Sequence, residues 1–306
     1  MTLPTSVRIR EVGAREGFQT LQTVVSTAQK LELIAALSET GVREIEITAM
    51  VRADKVPQMS DAEEVIRQFV RKPGVRYTAL YLNPRGFVRA EETNRLDNEG
   101  WLYGAVSETF LKKNANVSVA ESIQAIPEWL TAFASRGKKP QGLMLSTAFG
   151  CNYEGSFPDS KVLQVIRSSI EKVEQAGSQL PEVCLADTMG RATPEMLKRL
   201  VGAVRAQFPS LYVSLHLHDT RGSGMANVYA GLEMGVDCFD TSVGGMGGCP
   251  FAKGAAGNVC SEDVAYLCEE MGIATNVNLD AYCRAARLAE RIVGTPLPGK
   301  LYKSCT

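Results

Sequence analysis

Tyr212-Val213-Ser214-Leu215-His216-Leu217-His218-Asp219-Thr220 is the stretch that decides how the chain is read. Residues 212–218 form a short apolar and β-branched run of the kind that builds strands, and polar residues mark its C-terminal end. On a strand, positions i and i+2 face the same way. His216 and His218, the only two histidines in the chain, can therefore reach one ion while Leu215 and Leu217 pack behind them. The alternative is that each imidazole caps the strand end through hydrogen bonds.

Seven similar runs lie at 7–12, 44–48, 76–81, 101–106, 142–147, 182–187 and 238–242. Helical patterns fill the gaps at 26–40, 61–71, 120–136, 158–175, 193–207 and 224–234, and Thr193-Pro194 has the capping hydroxyl and proline of a helix start. Eight strand–helix units predict an α/β chain folded as a closed parallel (β/α)8 TIM barrel, although an open doubly wound sheet gives a similar alternation. Polar residues favour the barrel. Glu16, Glu46, Asp187, His216, His218 and Asn258 all fall within or just after the strand ends, which a barrel gathers at one place. With no linker or repeat in view, the expectation is one domain over 1–306. The barrel would span about 5–260 and a C-terminal helical extension about 261–306, with patterns at 262–272 and 279–293 closing the fold and offering a homo-oligomer contact, dimer or tetramer.

Composition narrows the class of function. The 306 residues are 45% hydrophobic and 22% charged, enough for a large core, and the formal net charge of −1 with scattered basic residues gives no electrostatic reason to expect nucleic acid or anionic lipid as a partner. No apolar run approaches the roughly 20 residues that span a bilayer. Eight cysteines without a CxxC pair are expected to be reduced thiols. A strand pattern begins at Val7, leaving no room for a leader after Met1, so the expected location is cytoplasmic.

Two further stretches carry chemistry. Glu11-Val12-Gly13-Ala14-Arg15-Glu16-Gly17-Phe18-Gln19 sets a cation beside a carboxylate between glycines. It reads either as a surface turn or, with the histidines, as an anionic ligand (Glu16) and a guanidinium (Arg15) suited to a developing enolate oxygen. The glycine-rich segment from Gly244 to Asn258 fits neither the dinucleotide fingerprint nor the P-loop. It is expected to be a mobile lid carrying a thiol, Cys249, that is poorly placed for packing and suited to catalysis, and ending in an amide, Asn258, able to ligate metal. Lys253 suggests a Schiff base, but a flexible glycine-rich segment would not desolvate it enough to lower its pKa.

Together these motifs resemble the 3-hydroxy-3-methylglutaryl-CoA lyase family of the DRE-TIM metallolyase superfamily. EVGAREGFQT, EIEITAMVRADKVPQMSDAEEV, SETFLKKNANVSVAES, GCNYEG, ADTMGRATP, HLHDTRGSGMAN and VGGMGGCPFAKGAAGN follow in the family's order over nearly the whole chain. The resemblance implies Glu16, His216, His218 and Asn258 as metal ligands, Arg15 on the substrate carbonyl, and Glu46, Asp187 and Cys249 in or beside the active site. It departs from the family twice: Glu16 stands where the family has aspartate, and Arg221 where it has tyrosine.

The reaction so implied is a divalent-metal-dependent retro-Claisen cleavage of a 3-hydroxy-3-methylacyl-CoA, foremost 3-hydroxy-3-methylglutaryl-CoA, to acetyl-CoA and acetoacetate. His216 and Asp187 are both candidates for the base. A lyase for citramalyl-CoA or a longer-branched 3-hydroxyglutaryl-CoA is the alternative, and an acetyl-CoA/keto-acid synthase a more distant one. Oxygen and imidazole ligands suit Mg²⁺ or Mn²⁺. No organic cofactor is implied beyond the substrate's CoA, whose phosphates could meet Lys112, Lys113 or Arg85.

Overall fold

A computed structural model describes residues 3–249 and 252–305, with the side chains of 248, 249 and 252–256 outside the described set. Eight strands appear where the apolar runs predict them: β1 Arg8–Glu11, β2 Glu44–Ala49, β3 Arg76–Leu80, β4 Gly100–Ala105, β5 Pro140–Ser146, β6 Glu182–Ala186, β7 Tyr212–His216 and β8 Cys238–Thr241. Helices separate them, and this alternation is that of the (β/α)8 TIM barrel.

The chain divides into two compact units. One gathers residues 4–82, 86–98 and 237–306. Its strands run in parallel, β1 between β2 and β8, with β3 beyond β2. Arg8 to Glu11 pair in register with Cys238 to Thr241. That register sets Arg10 opposite Asp240, and the two side chains form an ion pair at 2.7 Å although both are buried. The other unit gathers residues 83–85 and 99–236, where β4, β5, β6 and β7 run parallel in that order. Every residue of β6 and β8 is buried, as a parallel strand covered on both faces requires. Large apolar side chains such as Leu185, Leu215 and Phe239 are fully enclosed and contribute about 1.5–3 kcal/mol each.

Local chemistry explains where the helices depart from expectation. The single helix predicted over 120–136 is two, Val119–Gln124 and Ile126–Ser135, because Pro127 cannot donate a helical hydrogen bond. The first is started by a reciprocal capping box between Ser118 and Glu121. The pattern at 61–71 is shortened to Ala62–Gln68, after which Phe69 turns extended. Two helices have weak apolar patterns and escaped the sequence reading. Pro84–Glu92 buries only Gly86, Phe87 and Ala90, and Glu108–Ala115 is capped by the Ser107 hydroxyl and ended by Asn116 in the left-handed region, φ 57°.

β7 stops at His216 rather than 218. The segment expected to be a mobile lid contains two short antiparallel strands, β9 Gly248–Cys249 and β10 Ala252–Ala256. Cys283 and Cys305 are paired, contrary to the expectation of thiols throughout, while Cys151, Cys184, Cys238, Cys260 and Cys268 form no disulfide among the described residues. The pairing arises because the C-terminal turn Leu301–Ser304 docks on the helix Leu279–Val293, where the Tyr302 hydroxyl meets the Glu290 carboxylate. No helix among the described residues is long and apolar enough to cross a membrane.

Candidate active site at the strand ends

In the unit containing β1, the strand passes directly into a single π turn, Gly13–Gly17, which carries Arg15 and Glu16. Such wide turns are uncommon and concentrate at functional sites. Arg15 Nε donates to Glu46 Oε1 at 2.5 Å from the neighbouring strand β2, and Arg15 Nη2 lies 3.0 Å from Glu16 Oε2. One guanidinium is thus held between two carboxylates. Burial is the main influence on Glu46 and raises its pKa, with Glu16 and Asp240 adding to the rise while Arg15 opposes it.

Asn258, 1% exposed, donates through Nδ2 to Met246 O at 3.3 Å, and its Oδ1 has no hydrogen-bond partner among the described residues. A buried amide oxygen left unpaired is costly, and a ligand is one way to satisfy it. Gly247, at φ 108°, lies against this amide: a Cβ there would be 2.7 Å from Asn258 Nδ2 and 3.7 Å from Glu16 Cγ. Only glycine lets the backbone pass between these two side chains.

Glu11, at the end of β1, has a role that the sequence reading missed. It is fully buried, and its Oε1 accepts from Gly13 N at 2.7 Å and Val243 N at 3.0 Å while Oε2 accepts from Ser261 Oγ at 2.6 Å. One carboxylate therefore anchors both the root of the Arg15 turn and the root of the glycine-rich segment. Burial raises its pKa despite these donors. Glu262 acts alongside, accepting from Gly244 N at 3.0 Å, and burial pushes it up to about 8. An acid at a strand end was the available signal for Glu11. Glu262 offers none, since it sits in an ordinary helix start.

In the unit containing β7, His216 ends the strand and His218 follows it, both buried. Their Nε2 atoms are 3.2 Å apart. Adjacent ligands at about 2.1 Å on an octahedral ion lie about 3 Å apart, so the pair has the spacing of a chelate. Asp187, just past β6, is 1% exposed; its oxygens accept from Arg191 N at 2.6 Å and Ala192 N at 3.0 Å. Burial raises its pKa, and those amides and the two histidines pull against the rise. Thr147, after β5, is buried in a left-handed conformation, φ 56°, a strain that persists where surrounding contacts fix it. Here Thr188 accepts its amide at 2.9 Å, and its own hydroxyl accepts from Ser107 N at 3.1 Å.

The remaining sequence candidates are less informative. Cys249 lies in β9, with its side chain outside the described residues, as is that of Lys253 in β10. Lys112 Nζ reaches Asn116 O at 3.4 Å, and Lys113 lies over the Tyr153 ring at 5.1 Å.

The fold and these strand-end carboxylates, amide and imidazoles define the class of a barrel enzyme. The HMGL-like family model matches residues 6–289, and the chain belongs to that family of carbon–carbon lyases. It is 39% identical over 300 residues to the hydroxymethylglutaryl-CoA lyase of Bacillus subtilis, covering 98% of this chain and 97% of that one. A solved Bacillus subtilis HMG-CoA lyase superposes with a TM-score of 0.91 at 37% identity, over 99% of both chains. An HMG-CoA lyase from Acinetobacter baumannii, solved with coenzyme A and 3-methylmalate, gives 0.87 at 35% identity over 98% of this chain and 95% of that one.

Proposed function

We propose that the protein cleaves 3-hydroxy-3-methylglutaryl-CoA to acetyl-CoA and acetoacetate with a divalent cation, Mg²⁺ or Mn²⁺, held by Glu16, His216, His218 and Asn258. The observation that carries the reading is the 3.2 Å spacing of the His216 and His218 Nε2 atoms, in a chain of the HMGL-like family. Two imidazole nitrogens, a carboxylate and an amide oxygen with no partner among the described residues are a donor set suited to either metal. The names of the relatives and the coenzyme A and 3-methylmalate of the Acinetobacter baumannii structure support an acyl-CoA substrate.

When bound, the cation supplies Lewis-acid stabilisation of negative charge on the substrate's oxygens. The chain's own groups then divide the work. The 3-hydroxyl loses its proton, C3 becomes a ketone, the C2–C3 bond breaks, and the electron pair passes to C2 as the enolate of acetyl-CoA. Arg15, oriented by Glu46 and Glu16, places a permanent cation at that enolate oxygen. Cys249 delivers a proton to C2, completing acetyl-CoA. Of the two candidates for base, His216 commits its Nε2 to the cation, so the hydroxyl proton passes to Asp187, whose carboxylate is made more basic by burial and whose oxygens each keep a lone pair beyond the amides of Arg191 and Ala192.

The test is product analysis on enzyme stripped with a chelator and then given Mg²⁺ or Mn²⁺. Acetyl-CoA and acetoacetate should appear in equal amounts only after the metal is returned. Undiminished cleavage by the stripped enzyme, or products other than this pair, would overturn the proposal.

A further inference from the structure

Two arginines beyond the strand ends of the β4–β7 unit have no part in the chemistry above. Arg191 lies in the loop after β6, and its backbone amide is fixed on Asp187. Its Nη1 reaches Asn152 Oδ1 at 3.3 Å, while its Nε is buried with no hydrogen-bond partner among the described residues and would be only 3.1 Å from a Cβ at Gly150. Arg221 follows β7, three residues after His218. Its Nη1 donates to Met189 O at 2.6 Å and Gly190 O at 2.8 Å, and its Nη2 reaches the same Asn152 Oδ1 at 3.4 Å.

Both guanidiniums therefore converge on one neutral amide oxygen, and their donor nitrogens there can be no further apart than about twice a hydrogen-bond length. Neither has a carboxylate partner among the described residues. Glu154, the acid of the Asn152 turn, is directed elsewhere, accepting from Ser107 Oγ at 2.7 Å and Thr109 N at 2.6 Å and lying 3.4 Å from Lys161. Carbonyls and an amide fix the two forks without neutralising them. Like charges held this close repel, and an anion with two oxygens relieves that repulsion while matching the planar donor geometry. Thr220, beside Arg221, adds a buried hydroxyl with no hydrogen-bond partner among the described residues.

We propose that Arg191 and Arg221, gathered at Asn152, form an oxyanion subsite for the acyl-CoA substrate. The shared chemistry is a carboxylate or phosphate group, supplied by the distal carboxylate of the acyl chain or by a phosphate of CoA. The proposal deepens the acyl-CoA reading above and rests on it.

The test compares wild type with the Arg191→Gln/Arg221→Gln double variant. Loss of charged hydrogen bonds should raise KM for 3-hydroxy-3-methylglutaryl-CoA by about 10- to 100-fold, with kcat within about threefold of wild type. Two altered substrates separate the sources. If the anion is the acyl carboxylate, the penalty should vanish on the substrate whose distal carboxylate is an amide; if it is a phosphate, it should vanish on the pantetheine thioester. The Arg191→Lys/Arg221→Lys variant should recover part of the KM, which a merely structural role would not produce. An unchanged KM on the intact substrate, or a penalty of equal size on both altered substrates, overturns the proposal. Should wild type cleave no acyl-CoA, calorimetry with CoA and with 3-hydroxy-3-methylglutarate decides separately: the glutamine variant must lose affinity for one of them, and equal affinity for both overturns the subsite.

Discussion

Replacing Glu262 with glutamine removes a buried carboxyl whose titration lies far from its ordinary range. Burial is the dominant cause, raising it from 4.5 to about 8 although Gly244 N donates to it. The sign follows from linkage. Between about pH 4.5 and about pH 8 the folded protein retains this proton while the unfolded chain has released it, so stability is fully present below the lower value and is lost as pH rises to the upper one. At about 1.4 kcal/mol for each pH unit, that gap sets a ceiling of about 5 kcal/mol. Relaxation around the newly charged group brings the expected loss to about 2–4 kcal/mol. Glutamine cannot titrate, yet it keeps an oxygen for Gly244 N. Urea unfolding of both proteins, from about pH 5 to about pH 9, isolates the effect because Glu11, Glu46 and Asp187 titrate in both. The stability advantage of wild type over Glu262→Gln should fall by that amount across the range. Parallel curves would mean that Glu262 titrates alike in the folded and unfolded chain.

For Glu16, replacement by glutamine should weaken Mn²⁺ binding while aspartate preserves it, as a manganese titration followed by proton relaxation would reveal. Cys249→Ser should retain fold and metal but lose about 10²–10⁴-fold in kcat, the usual range for a general acid; near-normal turnover would remove the thiol from the chemistry. Gly247→Ala places a Cβ 2.7 Å from Asn258 Nδ2 at φ 108°, so it should lose about 1–3 kcal/mol of stability and bind Mn²⁺ more weakly. Wild-type values in both urea unfolding and metal titration would show that the backbone there moves freely.

Apolar runs were a sound guide to the strands because a parallel strand buried on both faces leaves an uninterrupted hydrophobic signature, as β6 and β8 do. Helices were legible only where their buried stripe is dense. Pro84–Glu92 rests on Phe87 and Ala90 alone, although its opening proline was a usable sign. In the site, i, i+2 spacing correctly put the two histidines side by side, with Nε2 atoms 3.2 Å apart, even though the strand ends at His216. Glu11 and Glu262 escaped notice because their importance lies in which amides they accept, those of Gly13, Val243 and Gly244. Such pairings join residues up to 232 positions apart, and nothing in local spacing records them. The pairing of Cys283 with Cys305 was hidden for the same reason: it depends on how the C-terminal turn docks.

If a cation held by the strand-end imidazoles runs the reaction, pulsed paramagnetic resonance of the Mn²⁺-loaded protein, which detects nitrogen coupled to the metal, reads those ligands themselves. Wild type should give coupling from two imidazoles, His218→Ala from one, and the His216→Ala/His218→Ala double variant from none while remaining folded. Bound Mn²⁺ with no nitrogen coupling in wild type, or coupling that survives in the double variant, would contradict the account.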